Sequence, residues 1–310
     1  MFPPDFPISV AYSQVVDLVA LDRWFAENRR DLPWRQPGTT PWGVLVSEIM
    51  LQQTPVARVE PVWWEWLERW PTPAGLAQSS VADAVRHWGR LGYPRRARNL
   101  HQQAVIITEH HGGVVPRDVD TLLKLPGIGD YTARAVASFA FGDRHPVADT
   151  NVTRVIARVT EGVAFAGHWS TKDALDRVDR LLEPQTDAHY PVTNLAIMEL
   201  GALVCRARSP LCSECPLANQ CLWRQEGFPV DESVVPKKQA PFEGSDRQAR
   251  GRLLALLRDT HDPVGQTELL ATHQPRSQAM RALHSLLTDG LVVEVAEGDE
   301  PHYALNGQSG

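Results

Sequence analysis

The chain has 310 residues, enough for one large domain or two ordinary ones. Its composition, 43% hydrophobic and 22% charged residues, is typical of globular proteins and excludes general disorder. No apolar stretch approaches the roughly 20 residues that span a bilayer, which excludes a transmembrane protein. The first residues also lack the basic and apolar regions of a signal peptide, which disfavours secretion. The net charge of −6 argues mildly against nucleic acid as a partner, although such a site needs only a local cationic surface.

Helical periodicity dominates the chain up to the region of residue 220. Apolar residues recur at helical spacing, and most of these runs end at Pro or Gly. Alternating strand patterns are nearly absent before residue 290, so an all-α main body with short connections is predicted. The predicted helices cover residues 15–25, 43–53, 56–70, 81–88, 95–110, 119–123, 131–141, 152–160, 171–182 and 192–207.

Eight of the ten tryptophans lie before residue 90, and four of them fall in one helical stretch, residues 63–70. Packing in a helical core is the favoured interpretation, because large aromatic side chains dominate core energetics. Stacking on nucleic-acid bases is the alternative, and nothing in the spacing selects it.

The octapeptide Leu125–Thr132 (LPGIGDYT) lies between two predicted helices. Gly127 and Gly129 let the backbone turn sharply and expose amide N–H groups at a helix N-terminus, which binds phosphate without a side-chain charge. A plain interhelical turn is the alternative. The whole octapeptide, followed by a helix rich in alanine, favours the phosphate site.

The four cysteines are Cys205, Cys212, Cys215 and Cys221, with the spacing C-x6-C-x2-C-x5-C. In a chain without a secretion signal, such a cluster predicts a metal or iron–sulfur site rather than disulfides. Zinc sites usually pair two short C-x2-C hooks, and only one is present. The spacing therefore favours a [4Fe–4S] cluster, with structural zinc as the alternative.

The composition changes after Cys221. Residues 225–245 have little periodicity and are predicted to be a linker. Three helices (246–259, 266–271 and 277–289) and a terminal hairpin (290–295 with 302–305) predict a small winged-helix-like α+β domain. This segment, 246–310, has six Arg and no Lys against nine Asp and Glu, and its net charge of −3 favours structural docking or a protein partner over DNA binding.

Together, the octapeptide, Val147–Val152 (VADTNV) and the four-cysteine loop resemble the helix-hairpin-helix DNA glycosylases of the endonuclease III superfamily. Within that superfamily, Leu32–Arg35, Ser47–Thr54 and Leu91–Tyr93 resemble the adenine DNA glycosylases, which remove adenine mispaired with 8-oxoguanine. The resemblance covers about residues 20–224. It implies a six-helix barrel over residues 33–143 and an iron–sulfur lobe from 1–32 and 144–224. The linker 225–245 and the C-terminal domain 246–310 are predicted from the composition and periodicity described above.

The resemblance also implies four catalytic residues. Glu48 lies in an apolar helix, where burial favours a protonated carboxyl group, and it would deliver a proton to adenine N7. Asp149, expected among polar neighbours and therefore ionised, would stabilise the oxocarbenium ion. Tyr131 and Asn151 match positions that orient this pair. The alternatives are a structural buried Glu48 and a helix N-cap at Asp149.

Five further residues match family positions that contact duplex DNA: Arg35, Gln53, Thr54, Leu91 and Tyr93. The chain departs from the family pattern at Pro94, where a second tyrosine is usual. It also lacks the nudix-like C-terminal domain with which many relatives recognise 8-oxoguanine. A winged-helix-like segment in its place is expected for actinobacterial-type members.

Three alternative functions differ in single residues. A glycosylase with lyase activity would need a lysine at the position of Tyr131, and none of the four lysines falls there. A thymine glycosylase acting on T·G mismatches tolerates Tyr131 and Asp149, but thymine has no N7 for Glu48 to protonate. A non-catalytic DNA-binding protein with a cluster would not need both carboxyl groups.

We therefore expect a monofunctional DNA glycosylase of base excision repair. Its expected partner is double-stranded DNA with A·8-oxoguanine or A·G mispairs, and no membrane is involved. We expect a monomer in the bacterial cytoplasm, associated with the nucleoid, with a protein partner at the C-terminal domain.

Overall fold

The computed structural model describes residues 16–167, 169–230, 241–295 and 300–308. The helices in these ranges are α1 (Leu18–Asn28), α2 (Pro41–Leu51), α3 (Val56–Arg69), α4 (Pro73–Ala77), α5 (Val81–Trp88), α6 (Arg95–His110), α7 (Val119–Leu122), α8 (Asp130–Phe141), α9 (Thr150–Glu161), α10 (Thr171–Leu182), α11 (Tyr190–Leu203), α12 (Leu222–Gln225), α13 (Asp246–Asp259), α14 (Gln266–Ala271) and α15 (Arg276–Thr288). The strands are β1 (Val264–Gly265), β2 (Val292–Val295) and β3 (His302–Leu305). No helix in the described part of the chain has both the length and the apolar character needed to cross a bilayer.

The predicted fold class, an all-α main body with a small α+β segment at the end, is confirmed. The bounds of α5, α6, α10 and α13 coincide with the predicted ones. The prediction for α11 is wrong at its end: the helix stops at Leu203 rather than at residue 207. The chain turns there because the amides of Val204 and Cys205 both donate to the carbonyl of Leu200, which directs the cysteine segment away from the helix axis.

By its internal contacts the chain divides into two compact units. We call Leu32–Val136 with Lys237–Gly310 the hairpin unit, and Met1–Asp31 with Ala137–Pro236 the cysteine unit. The division into barrel, lobe, linker and C-terminal domain stays a prediction. Of the predicted linker, residues 231–240 lie outside the described residues.

Tryptophans form much of the core of the hairpin unit, as predicted. The ring centroids of Trp66 and Trp88 lie 5.6 Å apart in an edge-to-face arrangement. The indole N–H of Trp63 donates to the carbonyl of Gly43 at 2.8 Å, which joins α3 to α2. A Cβ at Gly43 would lie 3.3 Å from the Trp63 ring, so a larger residue there would require the neighbouring side chains to shift by a few tenths of an ångström. The buried tryptophans of this unit are Trp34, Trp42, Trp63, Trp66, Trp70 and Trp88.

In the cysteine unit, α1, α9, α10 and α11 share one apolar core. At its edge, Arg30 forms a two-pronged ion pair with Glu199, with Nε–Oε1 and Nη2–Oε2 distances of 2.7 and 2.8 Å. The Glu199 side chain is fully buried. Since a buried carboxylate is costly unless it is paired, this contact fixes α11 against the end of α1.

The C-terminal segment has the predicted winged-helix-like arrangement. Helices α13, α14 and α15 pack with a three-stranded antiparallel sheet in the order β1-β3-β2. The first strand, only two residues long, was not predicted from the sequence because so short a segment shows no alternation. The segment packs on α5, where Arg86 Nη2 donates to Gln308 Oε1 at 2.6 Å and Arg258 donates to the carbonyl of Gly89.

Candidate active site and cysteine loop

Glu48 lies in α2, a helix whose residues are buried from Trp42 to Met50. Thr40 caps the helix, accepting from the amide of Gly43 at 3.2 Å, and Pro41 occupies the first turn. The Glu48 side chain is only 8% exposed, in agreement with the burial predicted from its apolar neighbours. A carboxyl group in such surroundings is a candidate proton donor.

Arg96 holds the end of α2 in place, and sequence reasoning missed it. Its guanidinium is buried. It donates to the backbone carbonyls of Ile49, Met50, Gln52 and Gly92 at 3.0, 3.0, 2.5 and 3.1 Å, respectively. Burial lowers the pKa of Arg96 to about 10. No local pattern could have revealed this role, because three of the four carbonyls, those of Ile49, Met50 and Gln52, lie more than 40 residues away in the sequence.

Arg96 also organises the residues predicted to contact DNA. Its Nη2 donates to Thr54 Oγ1 at 3.0 Å, and its charge lies 5.3 Å from the Tyr93 ring centroid. Gln53 and Tyr93 are exposed and both adopt positive φ, 55° and 48°. Thr54 and Leu91 are instead buried, joined by a hydrogen bond from Thr54 Oγ1 to the Leu91 carbonyl. The structure therefore presents two of these four side chains on the surface.

Arg35 lies apart from these residues in sequence. It is half-buried and is the last residue of a short 3-10 helix, Pro33–Arg35, that begins directly after Leu32. Pro33 begins this helix, and the buried Trp34 packs edge-on against Trp63, with ring centroids 6.0 Å apart.

The octapeptide forms the predicted hairpin between α7 and α8. Leu125 and Ile128 are buried, whereas Gly127 and Gly129 are exposed. Gly127 has a φ of 78°, a conformation that disfavours other residues, and a Cβ there would collide with the side chain of Asn99. Helix α6 supports the turn from behind, since Gln103 Nε2 donates to the Pro126 carbonyl at 2.8 Å.

Tyr131 follows the hairpin in the first turn of α8 and is half-buried. The neighbouring Thr132 accepts a hydrogen bond from Gln52 Nε2 at 3.2 Å. This contact connects the start of α8 to the residue after α2, so the helices that hold Tyr131 and Glu48 are linked within the hairpin unit.

Asp149 is the N-cap of α9 in the cysteine unit. Its Oδ1 accepts from the amides of Asn151 and Val152 at 2.8 and 2.7 Å, and its Oδ2 accepts from Asn151 Nδ2 at 2.8 Å. Burial raises the pKa of Asp149, and these three hydrogen bonds act in the opposite direction. The polar partners were predicted, but the degree of burial was not.

A chain of hydrogen bonds connects Asp149 to the cysteine loop. Asn151, which donates to Asp149, accepts from Arg154 Nη2 at 2.7 Å, and Arg154 Nε donates to the carbonyl of Cys205 at 2.7 Å. Asn151 also packs tightly on α11, where a Cβ at Gly201 would lie 2.7 Å from the Asn151 Cβ. The position of the carboxylate thus depends on the position of the loop.

The four cysteines line one small cavity whose other walls are mainly apolar, formed by residues such as Val155 and Leu200. Arg158 Nη1 lies 3.4 Å from Cys205 Sγ, which places a cation beside the sulfurs. Burial raises the pKa of Cys215 to about 12. Four thiols around a dry cavity with an adjacent cation are a donor set that suits a thiolate-bound iron–sulfur cluster.

Comparison with known proteins agrees with both parts of the site. Residues 46–167 match the family model for HhH-GPD superfamily base excision DNA repair proteins, and residues 205–221 match the iron–sulfur binding domain of endonuclease III. The chain is 53% identical over 291 residues to an adenine DNA glycosylase of Mycolicibacterium smegmatis, covering 94% of this chain and 96% of the relative.

Two solved structures share the fold. A thermostable thymine-DNA glycosylase superposes on this chain with a TM-score of 0.61 at 25% sequence identity. The alignment covers 67% of this chain and 95% of the glycosylase chain. The endonuclease III chain in a trapped covalent intermediate with DNA superposes with a TM-score of 0.57 at 26% sequence identity. The alignment covers 68% of this chain and 95% of that chain.

The hairpin and the cysteine loop, on this helical fold, define a helix-hairpin-helix protein of base excision DNA repair. Within that class, the chain belongs to the family of adenine DNA glycosylases. It is a DNA-binding N-glycosylase, a hydrolase, and it carries a [4Fe–4S] cluster.

Proposed function

We propose that this enzyme hydrolyses the N-glycosidic bond of adenine opposite 8-oxoguanine or guanine in duplex DNA. The observation that carries the proposal is the buried carboxyl group of Glu48 on α2, 8% exposed. Adenine is a poor leaving group until it is protonated, and N7 is a basic atom that a carboxylic acid can protonate. Glu48 supplies that proton.

Asp149 stabilises the positive charge that develops on the sugar as the bond breaks. An ionised carboxylate beside an oxocarbenium ion is the second of the two carboxyl groups that glycosidic hydrolysis requires. The three hydrogen bonds to Asp149 favour its ionised form against the effect of burial. Asn151 orients this carboxylate directly, and Tyr131 orients the groups around Glu48.

The target adenine leaves the base stack before it reaches these groups. The exposed amides near Gly127 and Gly129 bind a phosphate at the start of α8. Arg35, Gln53, Thr54, Leu91 and Tyr93 contact the duplex around the opposite base. Of these, the exposed Tyr93 stacks in the gap, a contact worth about 1–3 kcal/mol.

Cys205, Cys212, Cys215 and Cys221 hold the cluster, which supplies a covalent closure for the loop. The residues of the chain then do the positioning: Arg154 contacts the Cys205 carbonyl and fixes Asn151, and Asn151 fixes Asp149. The protein acts as a monomer in the bacterial cytoplasm, on nucleoid DNA. The protein partner expected at residues 246–310 stays a prediction.

A base-release assay tests the proposal with three duplexes of one sequence, which hold A opposite 8-oxoguanine, A opposite G, and T opposite G. Adenine release from the first two, without strand cleavage until base is added, is the expected result. Thymine glycosylase activity is the second candidate, because a thymine-DNA glycosylase shares the fold at a TM-score of 0.61. Release from T opposite G alone would decide for it and reject the adenine proposal.

A further inference from the structure

A large cavity lies within the hairpin unit, between the C-terminal segment and the segments that follow α2 and α5. Its volume is about 970 Å³. One wall is α13, and the opposite wall includes Gln53 and Tyr93, two exposed residues proposed above to contact the duplex. The C-terminal segment therefore shares a surface with the predicted DNA-contacting residues.

Arginines dominate the charge of this cavity. Eight arginine side chains line it, and no Asp or Glu of the described residues does. Helix α13 contributes half of them: Arg247, Arg250, Arg252 and Arg258. The remainder come from the opposite wall: Arg58, Arg90, Arg95 and Arg96.

For several of these arginines, the contacts within the described residues leave the positive charge uncompensated. Asp289 pairs with both Arg250 and Arg95, at 2.6 and 3.7 Å, so one carboxylate serves two cations. Arg58 and Arg258 donate to backbone carbonyls, which satisfy their hydrogen bonds without cancelling their charges. A surplus of positive charge therefore remains at the cavity.

Small residues keep the α13 wall open. Gly251 and Ala255, one turn apart, are both exposed and lie between Arg247 and Arg258 on the helix face that lines the cavity. A Cβ at Gly251 would meet no atom within 4 Å. A ligand can thus approach the helix closely while arginines reach it from both ends.

We propose that this cavity binds the phosphodiester backbone of DNA, so that the C-terminal segment forms part of the duplex-binding surface. Guanidinium groups are the side chains best matched to phosphate oxygens, which they bind with paired hydrogen bonds. The net charge of −3 for residues 246–310 is an average over the segment, and α13 places four arginines in the wall opposite Gln53 and Tyr93. The inference rests on the proposed function, since it extends the same DNA site.

The test introduces one negative charge into the cavity. Gly251→Glu is compared with Gly251→Gln, which has nearly the same size and no charge, and Ala255→Glu with Ala255→Gln. Both pairs replace exposed helical residues. Glu and Gln are better helix formers than Gly and only slightly poorer ones than Ala, so the fold is retained. Thermal unfolding of each variant confirms this independently of DNA.

Affinity is measured over a range of salt concentrations for a fully paired duplex and for the same duplex with A opposite 8-oxoguanine. We expect each Glu variant to bind both duplexes about tenfold more weakly than its Gln partner. The slope of log affinity against log salt concentration should also be shallower, by about the amount that one phosphate contact contributes. Equal loss on both duplexes is expected because phosphate contacts are independent of sequence.

Three outcomes would overturn the inference. Equal affinities of the Glu and Gln variants would show that the cavity does not meet phosphate. Equal losses in both would indicate size rather than charge, and a loss confined to the 8-oxoguanine duplex would indicate lesion recognition. None of these depends on base release, because the fully paired duplex has no target, so failure of the proposed function remains distinguishable.

Discussion

The proposed chemistry depends on the carboxyl group of Glu48, which lies in an apolar helix. Glu48→Gln keeps the shape of the side chain and removes its acidity, so adenine release should fall by at least about a hundredfold while affinity for the duplex stays nearly unchanged. Single-turnover base release and duplex affinity measure the two quantities. Glu65→Gln, an exposed position on α3, is the control. Substantial residual turnover would remove Glu48 from the acid role.

Asp149 caps α9, and we propose that it also stabilises the oxocarbenium ion; one substitution separates the two roles. Asparagine is as good an N-cap as aspartate, so Asp149→Asn should leave the free energy of unfolding within about 1 kcal/mol of the native value. The rate of base release should nevertheless fall by about a hundredfold or more, because the negative charge is lost. Asp17→Asn at the N-cap of α1 is the matched control. Loss of stability without loss of rate would show that Asp149 is only a cap.

The effect of Asp149→Asn on stability should depend on pH, in a direction that follows from the pKa of Asp149. Burial raises the pKa of Asp149 in the folded chain above its unfolded value, so the carboxyl group favours folding in its protonated form. That contribution is present below the unfolded pKa and is lost as the pH rises through the folded pKa. The stability of Asp149→Asn relative to the native chain should therefore increase with pH across this window. Denaturant unfolding at several pH values measures it, and a decrease would contradict the burial effect.

For single residues, the sequence predicted which side chains matter better than it predicted the contacts that surround them in the fold. The burial of Glu48 follows from its apolar neighbours along one helix. Arg96 and Arg154 were not predicted, because their partners are backbone carbonyls distant in the sequence, at Gln52 and Cys205 among others. Such contacts appear only once the chain has folded.

Among the elements, the hairpin between α7 and α8 depends on its two glycines in different ways. Gly127→Ala should reduce the free energy of unfolding by about 1–2 kcal/mol and weaken duplex binding, since its φ of 78° disfavours a side chain. Gly129 is exposed, with ordinary φ and open space around it. Gly129→Ala should therefore keep full stability and weaken binding alone. If Gly129→Ala binds duplex as the native chain does, no phosphate lies at the hairpin.

The cysteine loop is the element proposed to hold the iron–sulfur cluster. Cys215→Ser should abolish the broad visible absorption and lower the iron content, and weaken duplex binding as the contacts through Arg154 loosen. Absorption spectra, iron and zinc analysis and duplex affinity check this, with the neighbouring Ser213→Ala as the control. A colourless native protein with stoichiometric zinc would overturn the cluster assignment.

Elements with long periodic patterns were predictable, whereas of the short ones α14 was predicted with its observed bounds and α4 and β1 were missed. Helices α6 and α10 have the predicted bounds because their apolar residues repeat over three turns or more. The five-residue α4 and the two-residue β1 are too short to show a period. The end of α11 is set by backbone hydrogen bonds near Cys205, which no local pattern reveals.

Over the whole molecule, average charge misleads. A net charge of −6 argued against DNA, and −3 in residues 246–310 argued against a role for this segment in binding it. The cavity in the hairpin unit shows that folding collects arginines from α13 and from the opposite wall onto one surface. The sequence contains these residues, but their proximity depends on tertiary packing.

The most direct test of the account replaces one atom of the substrate. A duplex with 7-deazaadenine opposite 8-oxoguanine has a carbon where adenine has N7, so Glu48 has no atom to protonate. We predict that the native enzyme binds this duplex as tightly as the adenine duplex but releases the modified base at least about a hundredfold more slowly in single-turnover experiments. Release of 7-deazaadenine at a rate close to that of adenine would contradict acid catalysis at N7 and with it the role proposed for Glu48.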